Sequence, residues 1–98
     1  MIKRKPIYKK LIYKYGNIFQ VIVAIEELSE LQKELTKFLR DSLALKERSF
    51  ESISEEMADV EIILEQLKLI FDNEDSVKSF KKSKLERIIK RELGQCGN

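Results

Sequence analysis

Apolar residues recur along most of this 98-residue chain at three- and four-residue steps, the period of helices with one buried stripe. The clearest run is Ile18, Val21, Ile25, Leu28, Leu31, Leu35, Phe38 and Leu39, which predicts a long helix ending near Arg40. A shorter helix is expected before it, from about Ile7 to Tyr15, with Gly16-Asn17 as its terminator. Residues 41–51 are polar and mixed and read as a connection. Ser52 and Glu55 then have capping-box spacing, which predicts the start of a third helix. That helix carries Ile53, Met57, Ala58, Val60, Ile62, Ile63, Leu64, Leu67, Leu69, Ile70 and Phe71 around most of its circumference, a pattern that belongs in the centre of a bundle. Asn73 to Ser76 reads as a turn with a helix N-cap. Val77, Phe80, Leu85, Ile88, Ile89 and Leu93 predict a fourth helix, stopped near Gly94. One proline and three glycines leave little room for hairpins, and the β-branched runs sit inside helical periods. The expectation is a single all-α domain over residues 1–98, a four-helix, bundle-like fold.

Charge changes this picture more than composition does. The net charge of +2 conceals an asymmetry: residues 1–15 hold six Lys/Arg and no acid, residues 77–92 hold seven against two, and residues 16–76 hold six against fifteen acids. The lone cysteine, Cys96, and the absence of histidine exclude a disulfide framework, a Cys/His zinc site and His-assisted nucleophilic catalysis. No apolar run approaches the ~20 residues of a membrane span, and no signal-type h-region follows the basic start. A soluble, cytoplasmic protein is expected, with no membrane role. A chain this short has a thin core, which favours association with a second copy.

Two acidic clusters depart from ordinary amphipathic patterning. Glu26-Glu27-Leu28-Ser29-Glu30 and Glu55-Glu56-Met57-Ala58-Asp59 share the form Glu-Glu-x-x-acid, 29 residues apart. On a helix, residues three apart lie about 60° apart, so Glu27 with Glu30 and Glu56 with Asp59 each project from one side beside the apolar stripe. Like charges so placed repel, and a carboxylate next to a core is costly unless something neutralises it. Hard oxygen ligands on facing antiparallel helices suit Mg²⁺, with Mn²⁺ as an alternative. The plainer reading is a solvated acidic face, common for a single cluster.

The paired clusters, with the lead-in Tyr15-Gly16-x-x-x-Gln20 and the basic last helix, resemble the ExxE and ExxD motifs of the MazG-like all-α nucleoside triphosphate pyrophosphohydrolases, over about residues 15–92. The resemblance implies Mg²⁺-dependent hydrolysis of a nucleoside triphosphate to the monophosphate and pyrophosphate. By motif it makes Glu27, Glu30, Glu56 and Asp59 the metal ligands and catalytic carboxylates. It also implies a homodimer or a tetramer formed from two dimers. Lys84 and Arg87, in the spaced pattern Lys84-x-x-Arg87-x-x-x-Arg91, are candidates for phosphate contact, and Gln20 for contact with the nucleotide. A solvated basic face and a packing glutamine are the plain alternatives. Tyr8, Tyr13, Tyr15 and Phe19 are expected in core packing rather than on a base. The rival function is a non-enzymatic helical binding module for nucleic acid or protein, using Lys3, Arg4, Lys5, Lys9, Lys10 and Lys14 with Tyr8 and Tyr13 interleaved. Because acidic clusters repel nucleic acid, a nucleic-acid partner is not expected.

Overall fold

In the computed structural model, which describes residues 2–94, four α-helices follow one another: α1 (Arg4–Tyr15), α2 (Asn17–Leu43), α3 (Glu51–Ile70) and α4 (Glu74–Glu92). Among the described residues there is no strand, and no helix is long and apolar enough to cross a membrane. Cys96 lies outside the described residues.

Each boundary has a local cause. Helix α1 starts three residues earlier than its apolar pattern predicts, because Pro6 sits in the first turn, where its missing N–H has no intrahelical partner to lose. Gly16 then turns the chain with φ +85°, a conformation that an L side chain rarely adopts, and its N–H donates to the Ile12 carbonyl at 2.8 Å. Helix α3 does not begin at the expected Ser52–Glu55 box. It begins at Glu51, whose N–H donates to Ser49 Oγ at 3.1 Å, so the serine three residues earlier serves this end. Asn73 stands at the N-cap of α4 but makes no side-chain cap bond, and its Oδ1 is buried without a hydrogen-bond partner.

Helices α2 and α3 form the body of the molecule as an antiparallel pair. Gln20 meets Gln66, and seven residues further along α2 Glu27 meets Asp59, seven residues back along α3. Helix α1 packs across the open end of this pair. Its anchor is Tyr8, buried, whose hydroxyl donates to Glu65 of α3, while Arg4 Nε donates to the same carboxylate at 3.0 Å. At the other end, Arg48 in the connection donates to Glu34 at 2.6 Å and to Asp41 at 3.2 Å, and Phe50 packs against Phe38.

The core of one chain is small. Among the described residues, only Tyr8, Ala24, Val60 and Ile63 are buried apolar or aromatic residues, with Gln20 and Gln66 buried among them. The stripe expected to be buried on α2 is mostly exposed: Ile18, Ile25, Leu28, Leu35 and Leu39 are exposed and Val21, Leu31 and Phe38 half-buried, whereas the residues that face inward, Gln20 and Ala24, lie outside it. Helix α3 is not wrapped on all sides, since Met57, Ile62 and Leu64 are exposed as well. Helix α4 buries none of its residues and leaves Phe80, Leu85, Ile88 and Ile89 in the open. The radius of gyration, 17.5 Å, exceeds the ~13 Å of a compact chain of about 100 residues.

Candidate metal centre

The α2–α3 register brings three of the four predicted carboxylates together. Glu27 from α2 and Glu56 and Asp59 from α3 each offer an oxygen, and these oxygens lie within 4.8 Å of one another. Glu56 and Asp59 project from one side of α3 because they are three residues apart, and Glu27 faces them from the opposing helix. Glu30 stands at the border of the group. It is exposed and outside the 4.8 Å trio, yet close enough for its charge to act on both Glu27 and Glu56.

The electrostatics are those of a group lacking positive charge. Among the described residues, no Lys or Arg lies within ion-pair distance of Glu27, Glu56 or Asp59. Burial, followed by the charges of Asp59 and Glu56, holds the Glu27 carboxyl above its ordinary pKa of 4.5. Burial also raises Glu56, with Asp59, Glu30, Glu34 and Glu55 adding to the shift. Both residues are partly covered, and Glu56 Oε2 is buried with no hydrogen-bond partner. An orphaned buried carboxylate oxygen, pointed at by neighbouring carboxylates, is an unfavourable arrangement unless a cation or a proton joins it. The donor set fits a hard divalent cation, being all oxygen and anionic.

Two neighbours of the group escaped the sequence reading. Glu34 continues the stripe of Glu27 and Glu30 by one helical turn, which was the signal for it. Unlike them it is neutralised locally, by Arg48 at 2.6 Å and Lys37 at 3.4 Å. Arg48 lies in the polar connection, where no period marks it.

The remaining predicted residues are placed as follows. Gln20 is buried, one helical stripe below Glu27, and its Nε2 donates to Gln66 Oε1 at 2.6 Å. Lys84 and Arg87 are exposed on α4, which adds no side chain to the carboxylate trio. Of the aromatic residues, Tyr8 is committed to Glu65 in the interior, Tyr15 stacks on Phe19 with ring centroids 5.4 Å apart, and Tyr13 is exposed. An open pocket lined by Arg4, Lys5, Tyr8, Glu65, Lys68 and Glu74 lies near the C-terminal end of α3, away from the carboxylates.

The class defined by fold and site is thus an all-α protein whose central antiparallel helix pair carries a cluster of unpaired carboxylates. Comparison with protein-family models, with curated proteins and with solved structures finds no match to this chain.

Proposed function

We propose that the chain is a Mg²⁺-dependent nucleoside triphosphate pyrophosphohydrolase, which cleaves between the α and β phosphates to give the monophosphate and pyrophosphate. The observation that carries this reading is the convergence of Glu27, Glu56 and Asp59, with Glu56 Oε2 buried and without a partner. The likeness of the two acidic motifs to those of MazG-like enzymes supplies the substrate class. In this reading Glu27, Glu56 and Asp59 hold the cation and Glu30 borders it. When bound, the cation offsets phosphate charge and polarises the phosphoryl group under attack. A carboxylate of the same group takes the proton from the attacking water as general base. Lys84 and Arg87 supply cationic contacts to the departing phosphates, which requires α4, exposed in a single chain, to approach the site. Gln20 acts through its hydrogen bond to Gln66, holding the α2–α3 register that brings the acids together.

The rival reading, a helical binding module built on the basic ends, has less support at the N-terminus. Arg4 is engaged by Glu65, and the ring of Tyr8 is buried rather than free to stack on a base. A panel of ribo- and deoxyribonucleoside triphosphates incubated with Mg²⁺ separates the two. Release of pyrophosphate with the matching monophosphate is expected; release of orthophosphate alone, or no hydrolysis of any triphosphate, rejects the enzyme reading. Glu56→Gln is expected to abolish turnover while leaving helical circular dichroism near that of the parent.

A further inference from the structure

The first turns of α1, the C-terminal end of α3 and the start of α4 enclose an open cavity of about 530 Å³, a size that suits a small molecule. Its α3 wall ends at Lys68 and Leu69. Lys68 is nine residues beyond Asp59, about 14 Å further along the helix at 1.5 Å per residue, so this cavity is separate from the acidic trio. Tyr8 is the buried member of the lining, and Arg4, Lys5, Glu65, Lys68 and Glu74 are its charged members. A smaller hollow of about 120 Å³ adjoins it. Lys68 and Glu74 line both, and Val77, Lys78 and Lys81 continue the wall along α4. Together the two hollows hold five cationic side chains and two carboxylates, a balance of +3.

Partnering makes the imbalance larger. Glu65 already accepts bonds from the Tyr8 hydroxyl and from Arg4 Nε. Among the described residues, Lys5, Lys68, Lys78 and Lys81 have no carboxylate within ion-pair distance. Arg4 uses only Nε on Glu65, which leaves the N–H groups of both terminal nitrogens to donate elsewhere. Cations gathered in a concave surface without counter-charge repel one another and focus a positive field into it. Helix α1 adds to that field, since it has neither a capping side chain nor an acid in its first turn. We propose that the joined hollows bind a small anion carrying two linked phosphoryl groups, as inorganic pyrophosphate or as a diphosphate ester. Arg4 and Lys5 lie in one hollow, Lys78 and Lys81 in the other, and Lys68 belongs to both. One phosphoryl group engages the cations of one hollow, whereas two linked groups engage both sets. Guanidinium and ammonium donors are the ones that phosphate oxygens favour. The half-buried Leu69 and Val77 give the organic part of an ester an apolar surface. Glu74, the one carboxylate of the lining without a partner, opposes the anion.

The site does not depend on the pyrophosphohydrolase reading, and it is tested without metal, so that the bare carboxylates repel phosphate and add no binding of their own. The buffer is freed of metal over a chelating resin, because a soluble chelator is itself a polyanion. Salt is held at about 0.15 M, where charges more than ~8 Å apart are largely screened. Isothermal titration calorimetry of the full chain is expected to show one pyrophosphate bound per chain, more than about tenfold tighter than orthophosphate. Adenosine diphosphate separates the two sources: weaker or equal binding assigns the inorganic anion, and tighter binding assigns an ester. Lys5→Glu and Lys81→Glu, one from each hollow, are each expected to weaken pyrophosphate by more than about tenfold. Lys10→Glu makes the same change in net charge at an exposed position of α1 outside both linings, and is expected to leave affinity within about twofold. Glu74→Gln is expected to strengthen binding several-fold, a gain that loss of structure does not produce. Far-ultraviolet circular dichroism of each variant stays that of the parent. No pyrophosphate binding at millimolar concentration, orthophosphate bound as tightly as pyrophosphate, Lys10→Glu as damaging as Lys5→Glu, or Glu74→Gln without a gain would each overturn the proposal.

Discussion

At the scale of single residues, the decisive group is Glu56. Its Oε2 is buried, lacks a hydrogen-bond donor, and faces Asp59 and Glu27. Replacing it by glutamine removes one of three mutually repelling charges and introduces an N–H₂ donor beside two acceptors. Glu56→Gln is therefore expected to raise the melting temperature in EDTA while abolishing the further rise that Mg²⁺ gives the parent protein, which differential scanning fluorimetry with and without Mg²⁺ reads directly. A variant that still gains stability from Mg²⁺ contradicts the ligand assignment. The same repulsion gives a pH dependence. Glu27 and Glu56 have folded-state pKa values above their ordinary 4.5, so between that value and the raised ones the native chain binds more protons than the unfolded chain. Stability without metal then falls as pH rises through this window and grows as pH falls through it. Glu65 acts in the opposite sense. The hydrogen bond from Tyr8, with the nearby Arg4, depresses it below 4.5, so its contribution is present above that value and is lost as pH falls through the lowered one. The two windows lie on opposite sides of 4.5. A pH series of urea midpoints in EDTA is expected to show a maximum between them, and Glu65→Gln to remove the acid-side decline.

At the scale of the elements, the α2–α3 register positions the acids, and two polar contacts set it. Near one end, Gln20 and Gln66 are buried and bonded to each other; near the other, Arg48 bridges Glu34 and Asp41 with its side chain largely covered. Gln66→Leu leaves the Gln20 amide buried without its acceptor and is expected to cost about 1–3 kcal/mol in chemical denaturation. Gln20→Leu combined with Gln66→Leu is expected to recover much of that loss, because both unsatisfied groups disappear. Arg48→Ala is expected to cost about 1–3 kcal/mol as well, since bonds to charged groups at partly covered sites are the stronger kind. It also frees Glu34, whose charge already acts on Glu56, so the Mg²⁺-linked gain in melting temperature is expected to grow in this variant.

At the scale of the whole molecule, most of the apolar surface of α2 and α4 has no partner within one chain, and the thin core follows from that. Protein association that covers such surface makes the melting temperature rise with protein concentration. That rise is expected here over a dilution series in EDTA, and a concentration-independent value would mean that a single chain carries its own stability. The acidic trio and the exposed apolar stripe of α2 (Ile18, Ile25, Leu28, Leu35 and Leu39) lie on different sides of α2, so metal binding and any covering of that stripe are expected to contribute independently to the melting temperature.

The sequence by itself determined the number, order and type of the helices, because a 3.6-residue apolar period and a few punctuating residues such as Gly16 act locally. It also determined which acids share a side of their own helix, since Glu56 and Asp59 are set by spacing within one helix. It did not determine which apolar residues are buried. Ile18, Ile25 and Leu35 have the same period as Ala24 and Gln20, and helical spacing does not distinguish a stripe facing α3 from one facing away. Burial depends on which neighbour arrives, and the neighbour is chosen by long-range packing. The capping pattern misled for the same reason: Ser52 has the right spacing, yet contacts between the connection and α2 accompany a start of α3 at Glu51, served by Ser49, so Ser52 falls inside the helix. Only the tertiary structure decided that Glu27 meets Glu56 and Asp59 while Glu30 stays at the rim, because that meeting is a matter of register between two helices whose sequence separation carries no period.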